Sequence, residues 1–173
     1  MPDIEYVTVA DHAEAINGKL YLHGAGWSDI MQPVGPGGQP AVVHMGIAVS
    51  VLVGWNETNR RFPLAITIVH EDGDEIARIG AQIEAGRPPG ITPGTDFRNL
   101  LAIVANLAFP KLGRYDVRAE MEDQQRSVTF RVNQAPAQFT PSPPPNVAQL
   151  SVISAESVVS PSELGNQRSA AIP

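Results

Sequence analysis

The chain has 173 residues, 43% of them hydrophobic, a net charge of -6 and no cysteine. That is enough apolar material for one domain with a buried core, and it excludes disulfide frameworks, thiolate metal sites and cysteine nucleophiles. All Asp, Glu, Lys and Arg residues except Glu156, Glu163 and Arg168 precede Asn133, and the basic ones form no cluster interleaved with aromatics, which argues against nucleic acid or an anionic membrane as partner.

The opening MPDIEYVTVADHAEA lacks a basic stretch followed by an apolar run, and no 18 consecutive apolar residues occur anywhere. The expectation is no signal peptide, no membrane span and a cytoplasmic location, or a virion if the chain is a phage component. The 15 Gly and 16 Pro exceed average usage and favour many turns over long helices.

Ile4 to Ala10 alternates as a strand, with Ile4, Tyr6, Thr8 and Ala10 on one face. Asn17-Gly18 supplies the two positive-φ residues of a tight type I′ turn, so Lys19 to Trp27 is expected to pair back on that first strand. Gly24 and Gly26 mark a bulge or a close backbone approach. Residues 29 to 40, with Pro33, Pro36 and Pro40, read as a loop because proline lacks a ladder donor. Ala41 to Val53 is almost wholly apolar and reads as a strand buried on both faces. Trp55 to Arg61 turns the chain, Phe62 to Val69 is the next strand, and Asp72-Gly73 is a second hairpin signal leading into Glu75 to Glu84.

A Gly- and Pro-rich loop at 86 to 96 precedes Phe97 to Phe109. Leu100, Ile103, Val104 and Leu107 in that segment also fit a helical stripe, but no stop signal comes before Pro110, and a strand is the preferred reading. Leu101 to Val132 then reads as three consecutive strands. The first ends at Phe109, Pro110 to Gly113 reverses the chain, Tyr115 to Met121 runs back, and Ser127 to Val132 returns after a polar turn at Glu122 to Arg126.

About eight strands at this spacing predict an all-β fold, an antiparallel two-sheet sandwich of immunoglobulin-like or jelly-roll-like type. Gly113 followed by Tyr115 at the start of a strand matches the tyrosine corner of such sandwiches, in which the hydroxyl bonds to backbone a few residues upstream. Beyond Asn133 the composition changes. Residues 1–133 form the predicted sandwich domain, 134–146 a proline-rich linker with polyproline II character, and 147–173 a C-terminal arm whose Val147 to Val159 regains strand-like content before a flexible end.

Met-Pro-Asp-Ile-Glu-Tyr with the following Ala-Asp, the Asn-Gly turn, Gly-Ala-Gly-Trp, and Phe-Pro-Lys-Leu-Gly-Arg-Tyr closing in Phe130-Arg131-Val132 resemble a family of small bacterial proteins. That family is common in actinobacteria and is known only as a domain of unknown function. The resemblance covers about residues 1 to 133 and rests on turn and core residues, so it implies no catalytic or binding residue.

No constellation for chemistry stands out. The acidic run His70 to Glu75 sits at a hairpin tip, beside loops 29–40 and 110–113 if strands simply alternate in direction. Only Asp29 adds an acid there, too few ligands for Ca²⁺, and a solvated turn is the preferred reading. His12, His23, His44 and His70 show no metal spacing. Ser28 and Ser50 lie in no nucleophile turn, and Gly35, Gly37 and Gly38 open no helix that would bind phosphate. The expectation is a chain that is not an enzyme and carries no cofactor or metal.

The leading reading is an interaction or structural module of a larger assembly. It contacts a protein partner or a second copy through the arm, with Leu150, Val152 and Ile153 as docking residues and Trp55 as a further anchor. Asn17, Gly18, Asp72, Gly73, Gly113 and Tyr115 have structural roles. The alternative is a small-ligand or glycan-binding sandwich using Trp55 and the loops 55–61 and 86–96, and behind it a hydrolase with acids on loops.

Overall fold

The computed structural model describes residues 1–136 and 151–153. Eleven strands account for most of them: β1 (Asp3–Ala10), β2 (His12–Ile16), β3 (Lys19–His23), β4 (Asp29–Gln32), β5 (Val43–Val53), β6 (Arg61–His70), β7 (Glu75–Glu84), β8 (Phe97–Leu107), β9 (Gly113–Met121), β10 (Gln124–Gln134) and β11 (Ser151–Ile153). The described residues contain two 3-10 turns and no α-helix, so no helix among them is long and apolar enough to cross a membrane.

The strands form three sheets, in the orders β1-β5-β8-β11, β4-β10-β9-β6-β7 and β2-β3. One core joins the first two. Val7 and Val9 of β1, the odd-numbered residues Met45 to Val53 of β5, and Leu101, Ile103 and Ala105 of β8 meet Phe62, Leu64, Ile66 and Ile68 of β6, Tyr115, Val117 and Ala119 of β9, and Phe130 and Val132 of β10. The other face of β5 is covered as well. Ala48 and Ala102 are register partners and fully buried, because the β2-β3 hairpin packs there on β5 and β8. Gly46 allows that approach, since a Cβ at this position would lie 2.6 Å from the Ala13 nitrogen. This second layer is why β5 reads as continuously apolar.

Phe97 to Leu107 is a strand. Its helical stripe divides between faces, Ile103 pointing into the core opposite Ile47 while Leu100 and Val104 sit on the alternate positions. β8 and β9 are not a hairpin. The chain crosses from the first sheet to the second between them, and buried Gln32 stands in for backbone at the crossing, its Nε2 donating to the Phe109 carbonyl and its Oε1 accepting from the Phe109 N–H, both at 2.8 Å.

Four further expectations need correction. Asn17 (φ 51) and Gly18 (φ 67) do adopt the double positive-φ turn, but β3 pairs with β2 rather than with β1, and β1 pairs with β5. The break lies at Asp11, whose N–H donates to the His23 carbonyl while its side chain packs on Gly24. Residues 29 to 40 are not wholly loop. The first proline is Pro33, so Asp29–Gln32 is free to form β4, which runs parallel to Arg131–Gln134 of β10 and makes the second sheet mixed rather than antiparallel throughout. The polar turn after β9 is shorter than expected, with Glu122 at φ 53 and Gln124 already opposite Met121. Finally, β10 continues to Gln134, and the buried Ala135 N–H bonds to the Gln32 carbonyl. Most of the predicted linker and the arm apart from 151–153, including Leu150, lie outside the described residues.

Candidate functional site

The outer edge of the first sheet is where the chain's own β11 pairs on β8. β8 presents Ala102, Ile103 and Val104 to β11, with Ser151 opposite Val104, Val152 opposite Ile103 and Ile153 opposite Ala102 in antiparallel register. Ala102 and Ile103 are fully buried. β11 thus adds along the backbone of β8 beside Ala102 and Ile103 side chains that are already packed, so its pairing needs no rearrangement of the sheet. Two of the three expected docking residues, Val152 and Ile153, fall in this strand.

At one end of the sheets, the β6-β7 tip and the β8-β9 crossing are bound together. Lys111 Nζ contacts Asp72 Oδ2 at 2.5 Å and Asp74 Oδ2 at 2.7 Å. Asp72 also meets His70 Nδ1 at 2.6 Å, and His70 Nε2 lies 3.3 Å from the Leu112 carbonyl. The Lys111 ammonium, and after it His70, holds the Asp72 carboxyl well below the usual range. Its carboxylate partners raise Lys111 in turn, and Asp72 raises His70. Gly113, at φ 127, lets this tip close, because a Cβ there would lie 2.6 Å from Glu71 Oε1. Asp72 and Asp74 thus share a cationic partner, and the arrangement is a latch between loops.

Tyr115 lies directly beneath. Its side chain is fully buried and its hydroxyl donates to the Lys111 carbonyl at 2.8 Å, with the ring set against Phe109, Phe130 and His70. Burial pushes its phenol up.

At the opposite edge, Trp55 is half-buried, with Phe97 6.3 Å from its ring centroid and the Arg87 guanidinium 4.3 Å from it. Arg87 also donates to the Trp55 carbonyl at 2.5 Å and to the Thr58 hydroxyl. Gly54, Asn56, Glu57 and Asp96 line a shallow hollow beside it. The loops named for ligand binding do meet here, but the indole serves to join them.

One cluster escaped the sequence reading. His12 and His23 are cross-strand partners in the hairpin, His44 and Asn106 are cross-strand partners in β5 and β8, and the packing of the hairpin on that sheet brings the two pairs together. His12 Nδ1 lies 3.3 Å from His44 Nε2, His12 Nε2 lies 3.0 Å from Glu14 Oε1, and His44 Nδ1 lies 2.9 Å from Asn106 Oδ1. A turn at 17–18 fixes the sum of paired residue numbers, so the His12–His23 pair was implicit in the Asn-Gly signal. Nothing in the sequence placed His44 beside it.

No curated protein matches the chain. The family model described as Family of unknown function (DUF6941) matches residues 5–133, from β1 to the last turn of pairing in β10. The chain belongs to this family, and its matched span covers the body of the sheets and ends before β11.

Proposed function

We propose that the chain is a non-enzymatic interaction module, a sandwich of immunoglobulin-like or jelly-roll-like type. In this reading it is a component of a larger protein assembly, such as a virion or other particle, and its C-terminal arm supplies a strand to the β8 edge of a neighbouring copy or protein partner. The single observation that carries this reading is the antiparallel pairing of Ser151–Ile153 on Ala102–Val104. A three-residue ladder is short by the standards of stable strands, so an arm held this way exchanges readily, and an edge that accepts its own arm has the backbone spacing to accept a neighbour's. The latch at Lys111 and the covered faces of Trp55 favour this over the hydrolase and glycan-binding alternatives, because the groups those functions need are already engaged.

The test is light scattering on the full chain across micromolar to millimolar concentration, beside Val152→Pro, which puts a residue with a fixed φ and no N–H in the middle of β11. Concentration-dependent association of the full chain that Val152→Pro abolishes, with unchanged circular dichroism, supports the proposal. Association of equal strength in both proteins contradicts it.

A further inference from the structure

We propose that His12 and His44 form a two-imidazole site for a borderline divalent cation of the Zn²⁺ class, which would staple the β2-β3 hairpin to the face of the first sheet.

The partners of the outer nitrogens set the tautomer of each ring. A carboxylate only accepts hydrogen bonds, so Glu14 Oε1, 3.0 Å from His12 Nε2, keeps the His12 proton on Nε2 and leaves a lone pair at Nδ1 in the neutral ring. Asn106 Oδ1, 2.9 Å from His44 Nδ1, does the same on its side and leaves the lone pair at Nε2. The two inner nitrogens, Nδ1 of His12 and Nε2 of His44, are 3.3 Å apart. Two lone pairs facing each other at that distance call for a positive centre between them, either a shared proton or a metal ion. A nitrogen pair on a tetrahedral ion with bonds of about 2.0–2.1 Å is separated by about 3.3–3.4 Å, which matches the spacing. An acceptor on the far nitrogen of each ring is also how metal-binding histidines are oriented and made more basic.

The surroundings suit a cation that arrives from solvent. His44 is exposed and His12 is 36% exposed at its side chain. Their ring planes lie within 14° of each other. Among the described residues no three His, Asp or Glu side chains converge on one point, so this is a two-nitrogen chelate completed by water. His23 is the nearest further imidazole, its ring centroid 6.2 Å from that of His12. Because one ligand sits on β2 and the other on β5, binding spans the seam at Gly46, and an ion that binds only the folded seam must raise its stability.

The experiment is calorimetric titration of the untagged full chain with ZnCl₂, together with its thermal unfolding with and without the metal. One saturable site that raises Tm is expected. His12→Ala and His44→Ala should each weaken it at least tenfold, while His70→Ala leaves it unchanged. Glu14→Gln should weaken binding about tenfold, and Asn106→Asp, which makes the acceptor on His44 unconditional, should tighten it. Circular dichroism of each variant separates loss of the site from loss of the fold. The absence of saturable binding to the wild type up to 1 mM ZnCl₂, or affinity that survives both His12→Ala and His44→Ala, overturns the proposal and leaves a shared proton between the rings.

Discussion

Tyr115 donates its hydroxyl to the carbonyl of Lys111 at 2.8 Å, and the ammonium of that same lysine reaches Asp72 and Asp74 across the tip of β6 and β7. One residue of the crossing loop is therefore held from below by its backbone and from the side by its side chain. This fixes the point at which the chain passes from one sheet to the other.

Removing the hydroxyl isolates the lower attachment. Tyr115→Phe keeps the ring against Phe109 and Phe130 and removes the hydroxyl's hydrogen bond to the Lys111 carbonyl, which should cost about 1 kcal/mol. Denaturant unfolding with an unchanged slope is the measurement, and equal midpoints for the two proteins would remove the hydroxyl's role.

The lateral attachment gives stability a pH dependence through His70. Asp72 raises the His70 pKa in the folded state, so this histidine's contribution is fully present below the unfolded value of about 6.5 and is lost as pH rises through the higher folded value. Asp72→Asn removes the cause. Asp72 lies well below its ordinary range and Lys111 above its own, so their ion pair is constant between pH 5 and 9. The Tm advantage of wild type over Asp72→Asn should therefore shrink with rising pH in that window. An advantage that is flat or grows would show that His70 is not the titrating group.

These attachments also show what the sequence carries and where it stops. Local signals were legible: the Asn17-Gly18 and Asp72-Gly73 turns, the alternation of β6 and β7, and the glycine and tyrosine that open β9 all stand where residue chemistry placed them. Pairing between distant segments was not. β1 carries nothing that selects β5 over the adjacent β3, and the choice is made by Asp11 and Gly24 turning the chain so that the hairpin folds over the sheet. Parallel β4 was hidden because Asp29–Gln32 is short and precedes a proline-rich loop. The histidine cluster needed two registers and one packing contact at once, and a single sequence supplies only the first register.

Glu5 provides an acid-side counterpart to His70. Arg98 binds its carboxylate with two hydrogen bonds of 2.6 Å and Ser50 donates a third at 2.5 Å, which together lower its pKa to about 2. A carboxyl depressed in the folded state stabilises above its unfolded value of about 4.3, and the benefit is lost as pH falls through the folded value. The stability difference between wild type and Glu5→Gln should be constant above pH 5 and decline from there towards pH 2. Equal acid-unfolding profiles for the two proteins would mean that the β1-β8 tie carries no energy.

The seam beneath the hairpin gives the sharpest steric test. An alanine Cβ at Gly46 would lie 2.6 Å from the Ala13 nitrogen, 2.8 Å from the His12 carbonyl carbon and 2.9 Å from the Ala13 Cβ, so either the hairpin or β5 must move. Gly46→Ala should destabilise by about 1–3 kcal/mol, the usual cost of overpacking, and should shift the His12 and His44 imidazole resonances in NMR spectra as the two rings part. Gly80→Ala is the internal control, since nothing lies within 4 Å of its added methyl. There the stiffer unfolded chain should leave stability equal or raised by about 0.4–1 kcal/mol. If both substitutions cost the same, the close approach of β2 to β5 is not what Gly46 serves.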